Sequence, residues 1–302
     1  MNLYVSGVRN IEKIYWAEIM NLYIAGGGTA GNLGKSYWEN NLVVYIAAAN
    51  AGSKAPLLER VNLLERVNLL ESFYYIKDWQ IPLIHKVKSF MLDSGAFTFI
   101  SNSKTNVNYN DYVDRYIEFI NNHKVDLFFE LDIDSVVGYN KVIEIRNKIE
   151  SKTNKQTIPV WHKSRGKQNF IDMCKEYKYV SIGGIVSNEI KSIEYKFLNQ
   201  LCDIAHSHGA KIHGLGFTKS NLQNYKFDSV DSTAWIYGNR GGFLYKFNGK
   251  ELIKINKPEG TRLKSKEVAI NNFWEWVKYG EYLEMSIYCA GSQGRPFLFS
   301  DL

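Results

Sequence analysis

The run SFMLDSGAFT, residues 89 to 98, is apolar and strand-like until it stops on a carboxylate, Asp93, followed by Ser94 and Gly95. Similar stops recur downstream. VDLFFELDID ends in Asp132 and Asp134, TIPVWHK carries His162, YVSIGGIV carries Gly183 and Gly184, KIHGLGFT carries Gly214 and Gly216, and FDSVDSTAW carries Asp228 and Asp231. One acid at a strand end can be a helix N-cap; a series of acid, histidine, Gly-Gly and Gly-x-Gly stops suits a ligand site better. Glycines let a flat ligand lie against the backbone, whose N–H and C=O groups can bond the edge of a heterocycle. Carboxylates accept from ring N–H and amino groups of the kind guanine presents, and Asp132 or Asp134 could do so here. Two further carboxylates from separate strands can divide the chemistry of a glycosidic bond. One attacks the anomeric carbon, and the other handles the proton of the base that leaves or enters.

Such residues converge only if the strands run parallel and end at a common face. From Ser89 onward, near-continuous apolar runs alternate with helix-like segments at Tyr109–His123, Asn140–Ser151, Gln168–Tyr177 and Asn188–Gly209. This alternation is the signature of a parallel sheet covered by helices, and with six or more units it predicts an α/β chain folded as a (β/α)8 TIM-like barrel. The barrel is expected as a single domain over 1–302, with 1–19 as a possible extension. GGFLYKFNGKELIKI carries an Asn-Gly turn between alternating runs and predicts a β-hairpin inserted within 239–265, followed by a closing helix over Lys266–Glu284. Upstream, MNLYIAGGGTAG reads as a short strand entering a glycine turn, and the leucine spacing of residues 55–79 predicts a helix. Within that stretch the hexamer LLERVN occurs twice in tandem, which turns the second copy by about 120° on a helix and reads as a local duplication.

Composition narrows the class. With 302 residues, 45% of them apolar, the chain can bury a large core. No stretch approaches the roughly 20 apolar residues of a membrane span, and the first residues show no secretory pattern, so no membrane partner and a cytoplasmic location are expected. Cys174, Cys202 and Cys289 are too far apart for a zinc knuckle. The net charge of +6 is a mild bias toward polyanions. Two glycine-rich stretches are weaker lures. Gly26, Gly28 and Gly31 spell GxGxxG, but the next strand candidate lacks the acid that would hold a ribose, and GTAGNLGKS misses P-loop spacing by one residue.

Four segments resemble tRNA-guanine transglycosylases. LDSGAF resembles the family's Asp-Ser-Gly-Gly-Phe, with Ala96 at the second glycine; SIGGIV resembles its Gly-Gly-Leu segment; IHGLGF its His-x-x-Gly-x-Gly segment; and FDSV its Phe-Asp-Ser/Cys stretch. They occur in the family's order across about half the chain, and FDSVDSTAW is most similar to the branch that exchanges guanine in DNA for a 7-deazaguanine. The resemblance implies a pentosyltransferase with no cofactor. Asp93 would be the acid–base group and Asp228 the nucleophile, with Asp231 as its rival three residues on. Asp132 would read the base, and Gly183, Gly184 and the Gly214 to Gly216 backbone would line its pocket; Ser94, Gly95, Asp134 and His162, at the same strand ends, are further candidates for substrate binding. The family's zinc-binding cysteines after the nucleophile are not matched, since only Cys289 follows Asp228, so no metal is expected. Ser232-Thr233-Ala234 stands where bacterial tRNA enzymes have Pro-Thr-Arg, which favours DNA over tRNA. The implied partners are double-stranded DNA with the target base flipped out and a free base such as 7-cyano-7-deazaguanine. Lys163, Arg165, Lys167, Lys219 and Arg240 are the candidate phosphate contacts. A tRNA substrate, or an inactive barrel that binds nucleic acid or a purine, is the alternative.

Overall fold

In a computed structural model, the chain is described over residues 21–25, 64–76, 78–96, 108–219, 221–235, 238, 242–261 and 263–291. Its centre is an eight-stranded sheet. The strands are β1 (Asn21–Ala25), β2 (Asn68–Ser72), β3 (Ser89–Asp93), β4 (Leu127–Phe128), β5 (Val160–Trp161), β6 (Tyr179–Ile182), β7 (Lys211–Gly214) and β8 (Ser229–Ser232). They are ordered β4-β3-β2-β1-β8-β7-β6-β5, and every neighbouring pair is parallel. Phe129 and Ile158 add a parallel bridge between the two ends of this order. The Ile158 amide donates to the Phe128 carbonyl (2.8 Å), and the Glu130 amide to the Ile158 carbonyl (3.1 Å).

Alternation along the strands gives each face its own apolar layer. Leu69, Leu92, Phe128, Val180, Ile182, Ile212 and Val230 pack outward against helices. Leu70, Met91, Phe129, Ile158 and Val160 form a second, smaller cluster on the inner face. The covering helices are α1 (Tyr109–Asn122), α2 (Tyr139–Thr153), α3 (Gly166–Glu176) and α4 (Leu198–Ser207). α1 starts at Asn108, whose side chain accepts the Asn110 amide (3.1 Å) and so satisfies an otherwise unpaired N–H of the first turn. It buries Tyr112, Val113, Tyr116, Ile117 and Ile120 on one stripe, and α2 ends where Asn154 takes a left-handed conformation (φ +55°).

The helix expected over residues 55–79 is not found in its described part. Leu64–Arg66 is a 3-10 turn, and Asn68–Ser72 is β2. Every residue from Val67 to Glu71 is buried, because β2 lies between two strands and two apolar layers: Leu69 goes to the outer layer and Leu70 to the inner. Burial on both faces removes the advantage of an amphipathic helix, and parallel pairing to β1 and β3 satisfies the backbone instead. The segment expected as a helix over Asn188–Gly209 is likewise divided, with a 3-10 turn at Ser192–Phe197 preceding α4.

β9 (Phe243–Phe247) and β10 (Leu252–Asn256) form the expected antiparallel hairpin, and α5 (Ser265–Gly291) follows it. Phe273, Trp274, Trp276, Val277 and Tyr279 of α5 are buried in the outer core. No helix among the described residues is long and apolar enough to cross a membrane. Residues 26–63, which hold the GxGxxG and P-loop-like stretches, lie outside the described residues.

Candidate active site

Because all eight strands run the same way, their C-terminal ends share one face. Inner-face positions continue the parity of Met91 and Val160, which brings Asp93 to the end of β3, His162 beyond β5, Gly183 beyond β6 and Asp231 onto β8; Asp132, three residues past inner-facing Phe129, reaches the same end through irregular backbone, where it meets His162. Packing and charge relate these positions. A side chain at Gly183 would run into Val160 Cγ1 (2.7 Å) and His162 Nε2 (2.9 Å), and Asp93 feels the charges of both Asp231 and Asp132.

Asp93 is the perturbed acid of the group. Burial pushes its carboxyl up to about 6, with Asp231 and Asp132 adding to the rise, while the Ser72 side chain and the Gly95 amide (3.0 Å) oppose it. Gly95 is dictated by geometry. Its φ is +82°, and a Cβ there would meet Tyr74 Cβ at 2.7 Å and the Tyr112 hydroxyl at 2.8 Å. Ser94 is buried, and its carbonyl accepts from that same Tyr112 hydroxyl (2.6 Å). The turn after β3 is thus fixed from both sides.

Asp231 is 6% exposed. Its Oδ1 accepts the Gly216 amide (2.5 Å) and faces His213 Nε2 (3.3 Å). The left-handed conformation of Gly216 (φ +67°) aims that amide at the carboxylate. Gly214 lies against Phe217 and Phe227.

Asp228 lies elsewhere. It precedes β8, so it sits at the opposite end of the sheet, where its carboxylate accepts the Ile212 amide (2.8 Å) and meets His206 Nε2 (2.9 Å). The expected nucleophile is therefore not brought to Asp93; Asp231, one strand face and three residues on, is. A strand advances about 10 Å over three residues, enough to separate the two ends of a four-residue strand.

His162 bridges two carboxylates, donating Nε2–H to Asp132 Oδ2 (2.7 Å) and Nδ1–H to Glu189 Oε2 (2.8 Å). Burial favours the neutral ring, but the hydrogen bonds and charge of Asp132 and the Glu189 contact outweigh it and push the imidazole up to about 9. Glu189 is held low despite its partial burial, by His162 and the Ser164 amide (2.7 Å). It also closes over Gly184, where a Cβ would meet Glu189 Oε2 at 2.7 Å.

Among the described residues, three of the candidate phosphate contacts, Lys163, Arg165 and Lys219, are already engaged within the chain. Arg165 has a side chain only 5% exposed and donates to Asp134 Oδ2 (2.8 Å) and Asp132 Oδ1 (3.1 Å), with its guanidinium 4.2 Å above the Tyr139 ring. It is an internal brace, not a surface cation. Asp134, in turn, is engaged by Arg165 at the start of a helical turn, Asp134–Val137. Lys163 pairs with Glu194 (2.5 Å), Lys219 lies 4.6 Å above the Tyr195 ring, Lys167 is exposed in the first turn of α3, and Arg240 lies outside the described residues. Asp132, Asp134 and His162 offer ligand atoms within 4.8 Å of one another, a donor set that would suit a divalent cation, but the Arg165 guanidinium already supplies positive charge there.

Sequence reading missed Glu189, His213 and Ser72. Strand parity could have found His213, two residues from Lys211 on the inner face of β7; nothing local marks Glu189, which reaches the site through the turn after Gly184. The chain matches no protein-family model and no curated protein.

Proposed function

We propose that the protein is a guanine/7-deazaguanine transglycosylase acting on DNA, with Asp231 as nucleophile and Asp93 as acid–base group at the mouth of a closed (β/α)8 barrel. The observation that carries this reading is that these two carboxylates, remote in sequence, lie at the same end and on the same face of the sheet, near enough for the charge of Asp231 to add to the rise of Asp93. The Phe129–Ile158 bridge between the outermost strands supports closure.

The chemistry is a double displacement. Asp231 Oδ2 attacks C1′ of an extruded deoxyguanosine as the C1′–N9 bond breaks, and the protonated form of Asp93 delivers its proton to the departing base. The entering deazaguanine gives its N9 proton back to the Asp93 carboxylate. N9 then attacks C1′ and the bond to Asp231 breaks. A carboxyl poised near 6 has both forms accessible at neutral pH, as this alternation needs. Asp132, held on one oxygen by His162 and on the other by Arg165, is a fixed acceptor for the ring N–H and amino group of the base. Sequence supports DNA over tRNA, through the unmatched zinc cysteines and the Ser232-Thr233-Ala234 segment.

The test is exchange of labelled guanine out of duplex DNA and out of tRNA, with trapping of the covalent adduct. Wild type and Asp228→Ala should both form the DNA adduct, and Asp231→Ala should not. Loss in Asp228→Ala with retention in Asp231→Ala would overturn the assignment, exchange confined to tRNA would change the substrate, and binding without any release of guanine would make the chain a binding protein.

A further inference from the structure

Beneath Asp231, the inner face of the sheet carries polar groups where the neighbouring strands carry apolar ones. Tyr179 on β6, His213 on β7 and Ser229 on β8 all point inward, and His213 and Ser229 are fully buried. They form a continuous chain. The Tyr179 hydroxyl lies 2.5 Å from Ser229 Oγ, Ser229 Oγ lies 2.5 Å from His213 Nδ1, and His213 Nε2 lies 3.3 Å from Asp231 Oδ1. The Phe129 ring packs edge-on against the imidazole at 5.3 Å and holds its plane.

Donor and acceptor accounting gives this chain a direction. A carboxylate oxygen can only accept, so Nε2 must carry hydrogen to bond Asp231; an Nε2 lone pair facing Oδ1 would be repulsive. In the neutral ring Nδ1 is then an acceptor, which requires the Ser229 O–H to point at it. Ser229 Oγ in turn accepts the Tyr179 O–H. Every dipole therefore points toward Asp231, and in a buried setting such aligned bonds reinforce one another.

We infer that Tyr179, Ser229 and His213 are a relay of positioning residues that orients Asp231 and, with the Gly216 amide, fixes its Oδ1 so that Oδ2 faces the sugar. Among the described residues, both donors to this carboxylate fall on Oδ1. That is the arrangement a nucleophilic carboxylate needs, with one oxygen anchored and the other aimed. The catalytic consequence rests on the transglycosylase reading; the relay itself does not.

Two measurements test it separately. In wild-type protein labelled with 15N-histidine, the His213 signals should report the neutral tautomer with hydrogen on Nε2, whether or not the protein exchanges bases. Hydrogen on Nδ1 would refute the relay. For the consequence, His213→Ala should lower kcat for base exchange by roughly a hundredfold with KM little changed, the size seen when one preorganised donor is removed. His213→Gln, whose amide can still donate, should recover most of that loss. Tyr179→Phe deletes only a hydroxyl and should cost a few-fold in kcat with unchanged thermal unfolding, which covers the case in which His213→Ala fails to fold. Folded His213→Ala or Tyr179→Phe with wild-type kcat would refute the positioning role. A wild type with the expected tautomer but no exchange activity would refute the transglycosylase reading and leave the relay standing.

Discussion

Neutralising Asp93 should stabilise the protein while abolishing exchange, and the gain should depend on pH in a defined way. The carboxyl is raised from 3.8 to about 6 in the fold, chiefly by burial and further by Asp231 and Asp132. The folded state therefore binds a proton more readily than the unfolded chain between those values. Stability must fall as pH rises through that window, with no penalty below 3.8 and the full penalty above 6. The shift corresponds to roughly 3 kcal/mol at pH 7 to 8. Asp93→Asn removes the charge and keeps the shape. Urea unfolding of wild type and variant from pH 3.5 to 8 should give a difference in stability that grows by about 2 to 3 kcal/mol across the window and then levels. The change with pH is the diagnostic quantity, because a swapped hydrogen bond to Gly95 would offset the curves by a constant amount. A difference that stays flat from pH 4 to 8 would mean Asp93 is neither desolvated nor close to another carboxylate, and the two-carboxylate site would fall with it.

Two other expectations follow from the site. His162 is raised from 6.5 to about 9, so its contribution to stability is complete below 6.5 and lost as pH rises through 9. Comparing wild type with His162→Gln from pH 6 to 10 should show an advantage of roughly 3 kcal/mol shrinking over that range, and an advantage that does not change with pH would refute the imidazolium bridge. Gly95→Ala must adopt a positive φ and push against Tyr74 and Tyr112; a loss of roughly 2 to 4 kcal/mol in chemical unfolding is expected, and an unchanged midpoint would show that the turn after β3 is not as described.

Local pattern was enough for the chain of alternating elements from Ser89 onward, because strands buried on both faces read as continuous apolar runs and their covering helices read as periodic ones. It was enough too for Gly95, since a left-handed turn after a strand admits little else. It could not separate Asp228 from Asp231. Both are aspartates in one apolar segment, and which one reaches the C-terminal end of the sheet depends on where β8 begins, a matter of its pairing with β1 and β7. Arg165 read as a surface cation because charge is visible in sequence and burial is not; only the fold shows it between Asp132 and Asp134. The leucines after residue 62 looked helical by spacing, and sheet pairing overrode that spacing, since backbone hydrogen bonds to two neighbours outweigh a weak local preference. The relay beneath Asp231 lies furthest from what sequence can show: its members come from three strands, and their order is set by register alone.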